Sequence, residues 1–277
     1  MENPSDSHRE PIPFVSHAAG TSAEARRVDA QRSPAALRLP SWIWLWPVPA
    51  IIVLQVATKF AGEDVYRRWM RGELGLVENL TVLWLLLALS ATLYAFTQRR
   101  HVRSRLFGPA MAVMSLGLFF FAGEEASWGQ HWFGFAPPEE IAQRNEQGEF
   151  NLHNDPLLES FLDQLPRFLL TLAALFGGVI APLAFRSRVT AAPDFDSPSI
   201  TGWMWPPITC VPAALVALTI SLPKKIAEAA GQAEPYYLDI APGETKEFCL
   251  ALFLLVCSAS LALHLRARSP RVDYGTS

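Results

Sequence analysis

Apolar positions along the chain gather into long unbroken runs; they neither alternate nor recur on a single face. The runs hold about 18 to 21 mostly apolar residues each and are separated by charged segments, which is the length a helix needs to cross bilayer hydrocarbon. Six are read from the pattern: 42–60, 77–97, 106–123, 165–185, 203–221 and 247–265. Only helices and closed barrels satisfy their backbone polar groups in lipid, and long runs without a period of two favour helices. The pattern therefore predicts an all-α integral membrane bundle of six transmembrane helices, spanning 41–268, with a partly helical outer loop at 124–164. Residues 1–40, rich in Ser, Pro, Ala and Arg and without a sustained apolar face, are expected to be a disordered tail, and 269–277 a second, short one. The first apolar run starts too far along for a signal peptide and is followed by no small-residue cleavage site.

Composition supports this class. Of 277 residues 51% are hydrophobic. The net charge is −3, and no basic and aromatic stripe exists outside the tail, which argues against a nucleic-acid partner and leaves the lipid bilayer as the expected one. The three cysteines, Cys210, Cys249 and Cys257, all fall inside predicted spans with no CxxC spacing, so neither a disulfide framework nor a cysteine metal site is expected. Nineteen Arg against four Lys, with abundant Ala and Leu, point to a GC-rich bacterial genome.

The distribution of charge sets an orientation. With the N-terminus inside, the inner segments hold 14 Lys/Arg and eight acids, the outer segments nine Lys/Arg and 18 acids. The short basic loop "QRRHVRSR" is the strongest anchor, because short loops obey the positive-inside rule best. Both termini are thus expected in the cytoplasm and the protein in the bacterial cytoplasmic (inner) membrane, as a multi-pass protein.

This topology exposes one anomaly. A helix C-terminus carries partial negative charge and suits cations. Predicted span one finishes with Lys59 and span five with Lys224 and Lys225, whereas span three finishes with Glu124 and Glu125. Acids at the starts of inward-running spans, such as Glu78, Asp163, Glu244 and Glu247, have the favoured sign. Three escapes exist for the pair: the helix continues, as Trp128 and Trp132 four residues apart would suggest; Arg67, Arg68, Arg71, Arg144 or Arg167 supplies a counter-charge; or a metal or proton binds.

The loop that follows is the longest connection in the chain, and its pattern is structured. "APPEEIAQRNEQGEF" reads as a short helix with prolines before it and Gly148 after; "NDPLLESFLDQL" reads as an amphipathic helix capped by Asp155. His131 and His153 are its histidines, near Glu124, Glu125, Glu149, Asn145, Asn151 and Asn154 in sequence. His with carboxylates offers either a divalent metal site, with Glu124, Glu125 and His153 as candidate ligands, or a general acid/base pair. Ser127 four residues before His131, with Glu124 a turn earlier, imitates a nucleophile–base–acid order, but no oxyanion donors accompany it.

"AGEEASWGQHWFGF" followed by "NEQGEFNLHN", with "GLVENLT" opening span two, resembles a recurrent pattern of uncharacterised bacterial multi-pass membrane proteins, GEE-x-SWGQ … N-x-Q-x-E-x-NLHN. The resemblance covers 74–81 and 122–154 and implies that Glu78, Glu124, Glu125, Ser127, Trp128, Gln130, Asn145, Gln147, Glu149, Asn151, His153 and Asn154 form one polar site or network. That pattern carries Arg where this chain has His131, which weakens a ligand role for His131. It implies no activity. Two classes follow: a membrane-embedded hydrolase or transferase acting on a lipid or lipid-linked substrate, with Glu124, Glu125 and His153 as catalytic candidates; or a non-catalytic transporter or assembly partner. The scarcity of ionisable groups deep in the spans lowers the transporter reading.

Overall fold

The computed structural model describes residues 39–72, 74–145, 148–152, 164–233 and 235–268, and every regular element among them is helical. In chain order the principal ones are α1 (Pro47–Ala61), α2 (Glu63–Trp69), α3 (Leu76–Thr97), α4 (Phe107–Glu125), the short α5 (Glu139–Arg144), α6 (Leu165–Ala184), α7 (Ile208–Ala229) and α8 (Pro242–Arg268). Five of them, α3, α4, α6, α7 and α8, are long and apolar enough to cross a membrane.

The remaining predicted span, 42–60, divides into a single turn at Ser41–Trp44 and the 15-residue α1. Pro47 and Pro49 account for the break, since neither has an amide hydrogen to return to the preceding turn, whereas the first position of a new helix needs none. At about 1.5 Å per residue α1 is roughly 22 Å long, short of the ~30 Å of bilayer hydrocarbon. The predicted fifth span also moves: α7 starts at Ile208, after Pro206 and Pro207, and runs on to Ala229. Lys224 and Lys225 therefore lie within its last stretch, which removes one of the two comparisons behind the sign anomaly.

Hydropathy alone makes the spans look equivalent, but packing does not. The most apolar stretch of α8 is 56% buried, against 22% for α6, and α8 lies chiefly against α3 and α7 while α4 lies against α3. Phe248, Leu252 and Val256 of α8 meet Val77 and Leu85 of α3, Leu118 and Ala122 of α4, and Ala213 and Ala217 of α7 in one cluster. Buried hydroxyls and amides join helices within it. Gln55 Nε2 of α1 donates to Thr245 Oγ1 at 3.0 Å, and Thr92 Oγ1 donates to Ser258 Oγ at 3.1 Å. Midway along α6 the turn widens into a π-helical stretch, Phe176–Ile180. Gly177 and Gly178 sit there without room for a side chain, a Cβ at Gly178 falling 2.3 Å from that of Ala214 in α7. Small residues at such crossings let membrane helices approach closely. The cysteines are free, with Cys210 Sγ 3.1 Å from Cys257 Sγ.

Candidate functional site: a locked polar loop over an acidic cleft

Helix α4 stops at Glu125 for a local reason. After the cap residue Ala126, the backbone turns left-handed at Ser127, Trp128 and Gly129, with φ of 43°, 51° and 87°. Side chains other than glycine pay for that region with about 1–3 kcal/mol each, so something must hold Ser127 and Trp128 there. The expected continuation of the helix, with Trp128 and Trp132 on one face, is overturned: the left-handed turn sends Trp128 back onto α4 and Trp132 across to α3, where its Nε1 donates to Asn79 Oδ1 at 3.1 Å.

The returning indole is seated by the residues before it. Gly123 leaves the space, since a Cβ there would lie 2.8 Å from the Trp128 ring. Phe119 and Phe120 meet the ring edge-on at 5.7 and 6.4 Å. Trp128 Nε1 donates to Glu124 Oε1 at 2.7 Å, and the backbone N–H of Leu152 donates to Glu124 Oε2, also at 2.7 Å. Here lies the answer to the sign anomaly. Glu124, only 3% exposed, faces two N–H donors brought by the turn and by the returning loop.

A second tier fixes the loop. Ser127 Oγ donates to Glu149 Oε2 at 3.1 Å, and Asn151 Nδ2 donates both to Ser127 Oγ at 3.2 Å and to Glu149 Oε2. Asn145 Nδ2 reaches Asn151 Oδ1 at 2.7 Å and its backbone carbonyl at 3.0 Å, while Asn145 Oδ1 accepts from the Glu149 N–H at 3.1 Å. Gln130 Oε1 accepts from the Phe150 N–H at 2.5 Å. Ser127, Asn145, Glu149 and Asn151 are all buried. The two motif halves thus interlock through Glu124, Ser127, Trp128, Gln130, Asn145, Glu149 and Asn151. Ser127 engages Glu149 and Asn151, not His131, so the imitation triad is not assembled. Glu78 lies in the first turn of α3. Gln147, His153 and Asn154, and most of the expected amphipathic helix after Asn154, lie outside the described residues.

One expectation about partners changes. Arg67 pairs with Glu63 at 2.8 Å and Arg71 with Glu244 at 3.8 Å, so neither is the expected counter-charge of the Glu124–Glu125 pair. Among the described residues, no group of three or more His, Cys, Asp or Glu is gathered in a way that could hold a metal ion. Of the candidate ligands Glu124, Glu125 and His153, the last lies outside the described residues.

Beside the lock opens a cleft lined by Thr81 and Leu85 of α3, Phe120, Phe121, Glu124 and Glu125 of α4, Arg167 and Leu170 of α6, and Glu247, Leu250, Ala251 and Leu254 of α8. Its polarity is graded. The first turn of α6, the second turn of α8 and the last turn of α4 bring Arg167, Glu247, Glu124 and Glu125 to one end, and the leucines and phenylalanines lie further along the same helices. Arg167 Nη1 is 2.9 Å from Glu247 Oε1. Glu125 is half-buried and borders this space, one helical position from the lock.

Sequence reasoning named Arg167 as a possible counter-charge of the glutamate pair, but missed Gly123, Asn79 and Glu247 as members of this arrangement. Gly123, five residues before Trp128, was a readable signal, because a glycine late in an otherwise bulky helix marks close approach. The meeting of Arg167 and Glu247 had no local signal: 80 residues separate them. No family model, no curated protein and no solved structure matches the chain.

Proposed function

We propose that the protein is a multi-pass inner-membrane hydrolase or transferase whose cleft admits a lipid or lipid-linked substrate, with Glu125 as general base. The graded cleft carries this reading. A wall that is apolar along two turns of α8 and charged at one end fits a hydrocarbon chain with its headgroup at Glu125, Arg167 and Glu247. Glu124, committed to Trp128 and Leu152, serves to position the loop; Glu125 borders the open space where a proton can be taken from water or an acceptor hydroxyl. In the orientation expected from the basic loop at 98–105, this end of the bundle faces outward, so the substrate is drawn from the outer leaflet. His153 belongs to the same proposal as an acid or ligand supplied by the loop. The non-catalytic alternative is favoured by one observation: the lock uses most of the motif's polar groups on one another.

The test is reconstitution of the full chain into vesicles of bacterial polar lipids, followed by mass spectrometry of released headgroups and new lipid species. Turnover that disappears in a folded Glu125→Gln variant supports catalysis. Unchanged lipid in the wild type, or equal turnover in the variant, removes Glu125 from chemistry and leaves the non-catalytic reading.

A further inference from the structure

At the other end of α6 from the cleft, the short helix Arg186–Thr190 and the chain after it fold into a second pocket, whose lining includes Arg188, Asp194, Ser197, Thr201, Trp203 and Trp205. We propose that this pocket binds a zwitterion in which a phosphate is joined to an ammonium, the chemistry of a phosphoethanolamine headgroup. The proposal is independent of what the cleft takes.

The pocket is a built feature of the fold. The N–H of Asp194 donates to the Gly202 carbonyl at 2.7 Å and closes the segment into a loop. Gly202 permits this approach, since a Cβ there would fall 2.4 Å from the Asp194 carbonyl oxygen. Trp205 Nε1 donates to the Thr201 carbonyl at 2.7 Å, and its ring lies against Phe176 and Phe185 at the end of α6. Trp203 is buried edge-on to Phe107 of α4, with ring centres 5.1 Å apart. The N–H of Arg103 donates to the Phe195 carbonyl at 2.9 Å, which ties the loop to the basic segment 98–105. In the orientation expected from that segment, the pocket stands at the headgroup level of the inner leaflet, where indoles are favoured.

Its charges specify the ligand. Arg188 and Asp194 line one space, yet they form no ion pair with each other or with any other described residue. Asp194 Oδ1 accepts the Asp196 N–H at 3.0 Å, and the cation nearby, Arg268, is paired with Asp196 instead. Both Arg188 and Asp194 are exposed, as a site entered from the membrane surface requires. A simple anion would meet Arg188 but face Asp194, and a simple cation would meet Asp194 but face Arg188. A zwitterion satisfies the two together. The guanidinium fork matches two oxygens of a phosphate, and an ammonium brings three donors to the carboxylate beside aromatic rings that also attract a cation.

The experiment uses the full-length protein in maltoside micelles and native mass spectrometry, with phosphatidylethanolamine and phosphatidylglycerol of identical acyl chains as probes. Phosphatidylethanolamine should bind at least fivefold more tightly than phosphatidylglycerol. Asp194→Asn should abolish that preference without weakening phosphatidylglycerol, and Arg188→Gln should weaken phosphatidylethanolamine at least fivefold; each variant stands in for the other if one does not fold. Free O-phosphoethanolamine at millimolar concentration separates the two sources of the headgroup: displacement of the lipid supports a soluble ligand, and retention of the lipid supports a membrane one. Equal binding of the two lipids to the wild type would overturn the proposal, and so would phosphatidylethanolamine binding that neither substitution changes.

Discussion

Trp128 and Glu124 show how a residue of unfavourable sign becomes an anchor. A carboxylate at a helix C-terminus costs about 0.3–1 kcal/mol when exposed. The cost is offset here by two N–H donors at 2.7 Å, one of them delivered by a residue held at positive φ. Trp128→Phe keeps the ring but removes the donor, and should lower stability by about 1–3 kcal/mol, read as a drop in Tm of the purified protein. Gly123→Val should cost at least as much, because its side chain occupies the indole's place. If the lock is one unit, Trp128→Phe and Glu124→Gln combined should cost clearly less than the sum of the two alone. A residue outside the spanning helices gives the pH dependence. Arg67, by its hydrogen bond, holds the Glu63 carboxyl below its ordinary value of 4.5. A lowered folded value means that its contribution is present above 4.5 and lost as pH falls through the lowered value. Wild type and Glu63→Gln should therefore unfold at different temperatures near neutrality and converge well below pH 4.5.

At the scale of elements, the crossing of α6 and α7 depends on two side chains of minimal size. Gly178 faces Ala214 with no space for another carbon, so Gly178→Ala should destabilise the bundle by about 1–3 kcal/mol. Ala214→Gly in the same chain should restore most of the loss. Thermal unfolding of the two single variants and the double variant checks this, and an unrepaired double variant would mean that the π-helical turn, not the close contact, sets the cost. The buried end of α1 is built differently. Lys59 lies 3.6 Å from Glu63 and 3.7 Å from Asp239, with the rings of Tyr66 and Tyr236 each 4.6 Å away, so a residue read in sequence as an ordinary dipole-matched helix end is a buried cation joining α2 to the loop before α8.

For the whole molecule the short α1 makes topology the decisive measurement. Six crossings put both termini on one side, and five put them on opposite sides. We expect reporters at the N-terminus, near Arg103 and after residue 277 to be cytoplasmic, and one near Gln143 to be external, because of the basic excess at 98–105. An external N-terminal reporter with the other three unchanged would show that α1 does not cross. The sequence by itself determined the helical class, the five long spans and the acid-rich character of one end, since hydropathy and charge are summed locally over each run. It also marked the two motif halves, whose residues bond to one another across fewer than 30 positions. Only the tertiary structure decided that α8 is the core, that Glu124 is a structural anchor while Glu125 borders open space, and that Arg167 meets Glu247. Those outcomes depend on which faces of equally apolar helices pack together and on a left-handed turn stabilised by atoms from the returning loop, and neither is written in the properties of any one segment.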